Sequence, residues 1–139
     1  TGRTPEYNCH EEASGNFEQC MEILKYKEKD FYVISGDDAI TLPLIATGMS
    51  GVISVIANAY PKDFSEMVRM ALGGNMKAAR EFHYKLLDLS QAIFADGSPG
   101  GIKEILNFLD ICGTKVRPPL DNVSEGVKSR LLELAGKIR

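Results

Sequence analysis

Residues 31–58 read FYVISGDDAITLPLIATGMSGVISVIAN, and this stretch decides the fold class. Its first segment, residues 31–34, consists of residues that favour β-strands and ends at a polar turn. Residues 51–57 are apolar nearly throughout, which is typical of a parallel strand covered on both faces. Between them, residues 38–47 have a helical pattern, and Gly48 is suited to end that helix. The stretch therefore predicts a strand, a helix and a second strand.

Strand-like segments recur at a regular interval along the first part of the chain. Gly15, Gly36 and Asn58 each close such a segment, and they lie roughly 20 residues apart, about the length of one βα unit. The earliest of the three predicted strands covers residues 9–13, and Asn16 can cap the helix that follows it, with Gln19 three residues on as in a capping box. Because repeated βα units form parallel strands with right-handed crossovers, we predict the α/β fold class.

The second part of the chain has a helical pattern. Pro61 is suited to a first helical turn, and further helices are predicted at residues 76–94 and 102–111. Ser124 can cap the last helix. We therefore divide the chain near residue 60, into a strand-and-helix region and a helical region.

Composition excludes several classes of protein. Of the 139 residues, 44% are hydrophobic and 25% are charged, as in one ordinary globular domain. The net charge is -3 and there is no basic cluster, so we expect no nucleic-acid partner. No apolar run reaches the roughly 18 residues of a membrane span. The three cysteines, Cys9, Cys20 and Cys112, form no CxxC pair, which favours a reducing cytoplasm over a disulfide or zinc framework.

Small and polar residues follow the predicted strands, where ligands bind in parallel sheets. Gly36 could let a ligand approach the backbone or could serve a tight turn. Asp37 and Asp38 could form a catalytic pair, but a cap on the following helix is the more common role of such residues. Asn58 could contact substrate, although a local backbone hydrogen bond is more common.

Other candidates are weaker. His10, Glu11 and Glu12 could suggest a metal, but no second histidine lies at helical spacing, so we expect no metal site. His83 lies on a long amphipathic pattern and is predicted to be a surface or boundary residue. Lys103 has no strand context and is not a candidate nucleophile.

The segment EASGN at residues 12–16 resembles the KEASGN/D segment of the dihydrodipicolinate synthase and N-acetylneuraminate lyase family. Residues 33–58, and SEMVRMALGGNMKAARE at residues 65–81, resemble the same family in the same order and spacing. The resemblance implies a partial TIM (β/α)8 barrel, about the last three βα units, followed by a C-terminal helical domain. Residues 1–60 would hold the barrel strands and helices, and residues 61–139 the last barrel helix and the helical domain.

The resemblance also implies a chemistry. Members of this family are class I aldolases, in which a lysine amine forms a Schiff base with pyruvate and no cofactor takes part. In the synthase branch, the adduct condenses with aspartate semialdehyde on the path to lysine. The implied partners are therefore these small molecules and further copies of the chain in a homo-oligomer.

The family's site residues are carried over one by one. The family lysine stands immediately before EASG, and that position is Glu11 here; a carboxylate cannot form an imine. Arg3 resembles the PGRT arginine that binds the semialdehyde carboxylate. Gly36 matches the glycine whose backbone lies beside the substrate, and Ile53 matches the residue whose carbonyl faces the pyruvate adduct. The segment between Arg3 and Glu11 is shorter than the roughly 10–12 residues of a helical crossover.

Three interpretations follow from these residues. The first is the C-terminal portion of a synthase-like aldolase, inactive as given because Glu11 stands at the lysine position. The second is a catalytically dead module retained for binding or oligomerisation. The third, a distant one, is a metalloenzyme built on His10, Glu11 and Glu12. Within the family, a related aldolase of the N-acetylneuraminate lyase type is the alternative, and Arg3 favours the synthase branch over it.

Overall fold

The sheet of this protein is small and parallel. A computed structural model describes residues 8–138. Strand β1 (Cys9–Glu12) pairs in parallel with strand β2 (Tyr32–Ser35), and a single parallel bridge joins the last residue of β2 to Val52. The first two predicted strands are thereby confirmed to within a residue or two.

The strand predicted at residues 51–57 is wrong over most of its length. Backbone hydrogen bonds to Ser35 end at Ile53, and the chain then turns into a short 3-10 helix, Ile56–Asn58. The side chain of Asp38 accepts the backbone N–H groups that begin this turn. The apolar run therefore curls away from the sheet instead of extending it.

The described residues also form six α-helices. They are α1 (Phe17–Tyr26), α2 (Thr41–Ala46), α3 (Pro61–Leu72), α4 (Met76–Ala92), α5 (Gly100–Phe108) and α6 (Glu125–Ile138). Helix α2 begins three residues later than predicted because Asp37 accepts a hydrogen bond from the N–H of Ala39 and holds residues 38–40 in a turn. The other predicted helices are confirmed to within a few residues.

Three of the helices begin where the sequence places a residue suited to a helix start. The side chain of Asn16 accepts the N–H of Gln19 at 3.1 Å and caps α1. Pro61 occupies the first turn of α3, and the Ser124 hydroxyl accepts the N–H of Val127 at the start of α6. These three predictions are confirmed, because each depends only on contacts within one turn.

Two clusters of buried residues stabilise the fold. The larger surrounds α4, whose Leu86 and Leu89 are 1% exposed, and it continues into α3, α5 and α6. It also includes Leu42 of α2 and Ile56 beside the sheet. The smaller cluster lies beneath the sheet and consists of Cys20, Val33, Leu44 and Met49. Most of the apolar burial therefore lies on the helical side of the molecule.

Across residues 8–138, no helix combines the length and the apolar composition that a membrane span requires.

Gly101 tests the contact between α5 and the end of α4. A Cβ atom at Gly101 would overlap the carbonyl of Ile93, which is backbone and cannot move aside. We expect Gly101→Ala to lower the free energy of unfolding by about 1–3 kcal/mol, measured by urea denaturation. The control is Gly136→Ala in α6, where a Cβ atom meets nothing within 4 Å. This variant should raise the free energy of unfolding by up to about 1 kcal/mol, because alanine favours a helix more than glycine does. Equal stability of the two variants would contradict this packing.

Candidate active site

The carboxyl ends of the two strands meet at Gly36. The N–H of Gly36 donates to the carbonyl of Glu12 at 2.8 Å, so the turn after β2 continues the pairing with β1. A Cβ atom on Gly36 would lie 2.7 Å from Cβ of Ala13 and 2.7 Å from Oε1 of Glu11. Gly36 is therefore required by the close approach of its neighbours.

Ile53 lies on the other side of β2. Its N–H donates to the carbonyl of Ser35 at 2.9 Å, and its side chain is 56% exposed. Glu11, Gly36 and Ile53 thus lie on three neighbouring segments at the carboxyl end of the sheet. Arg3, the remaining predicted substrate-binding residue, lies outside the described residues.

Glu12 fixes the turn that follows β1. Its buried carboxylate accepts the N–H of Ser14 at 2.7 Å and the Gln19 amide at 3.4 Å, and it lies 3.6 Å from Nε2 of His10. Hydrogen bonds from the Ser14 side chain and backbone lower the pKa of Glu12, and His10 and Gln19 act in the same direction, while burial opposes them. The charged carboxylate is the form that this turn stabilises.

Asp37 and Asp38 do not cap the helix that follows them. Helix α2 has Ile40 at its N-cap, with no side-chain hydrogen bond there. Oδ2 of Asp38 instead accepts the N–H of Val55 at 3.0 Å and that of Ile56 at 2.8 Å. The predicted cap is wrong, because the sequence could not reveal a partner that lies 17 and 18 residues ahead.

Burial dominates the electrostatics of Asp38. Its side chain is 3% exposed, and this burial raises the pKa of the carboxyl. Hydrogen bonds from Ser54, Ile56 and Val55 oppose the rise, while the charge of Asp37 adds to it.

The remaining candidates lie away from the strand ends or make local contacts. The side-chain amide of Asn58 donates to the carbonyl of Val55 at 2.9 Å, which confirms the local backbone bond. His83, predicted to be a surface or boundary residue, is buried on α4 with 9% of its surface exposed, and burial lowers its pKa. Lys103 is half-buried on α5, outside the sheet.

Two open cavities flank the sheet, each of about 400 Å³. The first separates the strand ends from the end of α4 and is lined by Ala13, Gly36, Asp37, Ala39, Ser90, Gln91 and Phe94. The second lies beside the free edge at residues 51–54 and is lined by Gly51, Val52, Ser54, Ala57, Phe64, Ser65, Val68 and Arg69. The sequence alone does not predict that α4 lines the first cavity, because Ser90 and Gln91 are ordinary helix residues.

In the part of the chain that the structure describes, no three side chains of His, Cys, Asp or Glu are grouped so that they could hold a metal ion. His10 and Glu12 contact each other without a third such neighbour in that part of the chain.

The fold and the strand-end site define a class of protein. The solved structures on which the chain superposes are TIM-barrel enzymes, and its two parallel strands with their helices fit a part of such a barrel. A model of the dihydrodipicolinate synthetase family matches residues 7–137, and the chain belongs to this family.

Particular relatives are closely similar in sequence and structure. The 4-hydroxy-tetrahydrodipicolinate synthase of Flavobacterium psychrophilum is 49% identical over 120 residues, which cover 86% of this chain and 41% of the relative. The crystal structure of dihydrodipicolinate synthase from Aquifex aeolicus superposes with a TM-score of 0.88 and 37% identity, covering 93% of this chain and 44% of that one. The dihydrodipicolinate synthase from Thermotoga maritima superposes with a TM-score of 0.91 and 30% identity, covering 94% of this chain and 45% of that one. The chain therefore spans about two fifths of the length of the curated relatives it matches.

The lowered pKa of Glu12 predicts a pH-dependent stability. A carboxyl with a depressed folded pKa stabilises the fold above its unfolded value, here 4.5, and loses this contribution as the pH falls through the folded pKa. We expect Glu12→Gln to be less stable than the wild type by about 1 kcal/mol at pH 7. The difference should shrink steadily in urea unfolding series below pH 4.5. Glu28→Gln, an exposed loop control, should show no such trend; a constant Glu12→Gln deficit at every pH would refute the role of the charge.

Proposed function

We propose that this chain is the C-terminal part of a cytoplasmic, homo-oligomeric aldolase of the dihydrodipicolinate synthase type. The parent enzyme would condense pyruvate with aspartate semialdehyde in lysine biosynthesis, the activity that the names of the relatives suggest. Residues 1–60 would supply about the last three βα units of its barrel. Residues 61–139 would supply the last barrel helix and the C-terminal helical domain.

One contact carries this proposal. Oε1 of Glu11 lies 2.7 Å from the point where a Cβ of Gly36 would stand. The side chain at position 11 thus reaches the backbone of the glycine that, by resemblance, lies beside the substrate. An amine at the end of that side chain would be held where a bound pyruvate carbonyl could be attacked.

The covalent step would be missing from this chain. In the family reaction, the lysine nitrogen attacks the ketone carbon of pyruvate, water leaves, and an imine remains. The carboxylate of Glu11 has no nitrogen from which to form that bond. The backbones of Gly36 and Ile53, with Arg3, would remain as the substrate-binding part of the site.

A second candidate function is a module for binding or assembly. Its support is the free edge of the sheet near residues 51–54, where an apolar cavity opens and Ile53 is 56% exposed. Unpaired strand edges recruit other chains. The N-acetylneuraminate lyase branch is the less favoured aldolase, because Arg3 resembles the synthase-branch arginine.

The chain is expected to form no Schiff base with pyruvate. Borohydride reduction in the presence of pyruvate, followed by intact mass spectrometry, should leave its mass unchanged. The Flavobacterium relative, treated alongside, is the positive control that gains the adduct. A stoichiometric adduct on a lysine between residues 11 and 57 would show that the nucleophile is misassigned.

Glu11→Lys is expected to restore little turnover of pyruvate and aspartate semialdehyde. The amine would still lack the proton-relay residues of the full barrel, and general acid–base assistance contributes about 10²–10⁴-fold. A coupled assay of the condensation should therefore give a rate at least about 10²-fold below the rate of the Flavobacterium relative. A rate comparable with that of the relative would overturn the view that this chain holds an incomplete site.

The unpaired edges of the sheet favour association of this chain with other chains. We expect the chain to self-associate or to require the rest of a barrel in trans, as measured by size exclusion with light scattering over a dilution series. Ile53→Lys should weaken self-association, whereas Ile111→Lys, which alters an equally exposed loop isoleucine, should not. A monomer of 15.3 kDa that unfolds cooperatively and binds no hydrophobic dye would contradict this expectation.

A further inference from the structure

A buried carboxylate lies beneath the strand ends and has no part in the chemistry described so far. Asp38 is 3% exposed, and its Oδ2 accepts two backbone N–H groups, those of Val55 and Ile56. Its Oδ1 has no hydrogen-bond partner within residues 8–138. Burying a charge is costly unless strong hydrogen bonds compensate, so this side chain has a specific task in the fold.

That task concerns the backbone between residues 53 and 56. The N–H of Ile53 is fixed by the carbonyl of Ser35 at 2.9 Å, and the N–H groups of Val55 and Ile56 are fixed by Asp38. Peptide units are planar, so the hydrogen bonds to the N–H groups of Ile53 and Val55 act as anchors and leave little freedom to the peptide unit between them. That unit carries the Ile53 carbonyl, and these bonds therefore set the direction of the carbonyl.

The anchors have different origins. The Ser35 bond belongs to the parallel pairing that β2 would offer any neighbouring strand. The Asp38 bonds bend the chain away from that pairing and start the 3-10 helix Ile56–Asn58. Without Asp38, the N–H groups of Val55 and Ile56 would lose this acceptor, and the peptide unit that carries the Ile53 carbonyl would be held from one side only.

We propose that Asp38 is a positioning residue, whose carboxylate fixes the backbone of residues 53–56 and thereby aims the Ile53 carbonyl at a ligand beside Gly36. The significance for catalysis rests on the proposed function, which assigns the Ile53 carbonyl to the substrate. The restraint itself rests on the hydrogen bonds of Asp38 alone.

Nuclear magnetic resonance of the isotope-labelled, deuterated chain tests the restraint. The amide protons of Val55 and Ile56 should titrate together, with a midpoint above the ordinary Asp value of 3.8. Asp38→Asn should abolish this titration and leave the carbonyl carbon of Ile53 near its wild-type shift, because an amide oxygen can still accept. Asp38→Ala should move that carbonyl resonance.

The matched control is Asp37→Asn. The charge of Asp37 raises the pKa of Asp38, so this variant should keep the titration of both amides and lower its midpoint. Amide signals of Leu86 and Leu89 in the α4 core report whether each variant is folded. If Asp38→Ala does not fold, the comparison of the wild type with Asp38→Asn decides the question.

Two results would overturn the proposal. One is the absence of any titration at Val55 and Ile56 in the wild type. The other is an unchanged Ile53 carbonyl resonance in a folded Asp38→Ala chain. Adding pyruvate separates this proposal from the proposed function: it should shift the Ile53 carbonyl in the wild type and less in Asp38→Ala. If the Ile53 carbonyl of the wild type does not shift on addition of pyruvate, while the amides titrate as expected, the assignment of this carbonyl to the substrate is rejected and the restraint is retained.

Discussion

The close contact between β1 and the Gly36 turn is the constraint on which the site depends. Gly36 donates its N–H to the carbonyl of Glu12, and its missing side chain leaves room for Glu11 and Ala13. Any larger residue at position 36 would push β1 away from β2. The position of the Glu11 side chain beside the Gly36 backbone follows from this contact.

The helical part of the molecule stabilises a sheet that is incomplete by itself. Most buried apolar residues surround α4, whereas the sheet has two strands and one bridged segment. An isolated pair of strands is marginal in water unless helices cover it. Packing of α1 and α2 beneath β2 supplies that cover on one face. The free edges explain why we expect association, and why a chain two fifths as long as its relatives could still fold.

Local features could be predicted from the sequence, and contacts between distant residues could not. Three helix starts depend only on neighbours within one turn, so the local sequence is sufficient to predict them: the caps at Asn16 and Ser124 and the first-turn Pro61. The strand at residues 51–57 was predicted too long because apolar composition is the same in a strand and in a buried turn. What bends it is Asp38, whose partners are 17 and 18 residues away.

The candidate site shows the same division. Glu11 and Gly36 could be selected from the sequence by resemblance, and both lie at the strand ends. Ser90 and Gln91, which line the cavity opposite them, come from a helix whose approach to the sheet depends on the whole α4 core. The raised pKa of Asp38 likewise arises from burial and from partners that no single motif encodes.

We infer that the side chain at position 11 occupies the place of the family's Schiff-base lysine. The most direct measurement is peptide mapping of Glu11→Lys after borohydride reduction with pyruvate. We expect the adduct, however slowly it forms, at position 11 and in greater amount than at the exposed lysines Lys25 and Lys29. An adduct spread evenly over the surface lysines, with none at position 11, would contradict it.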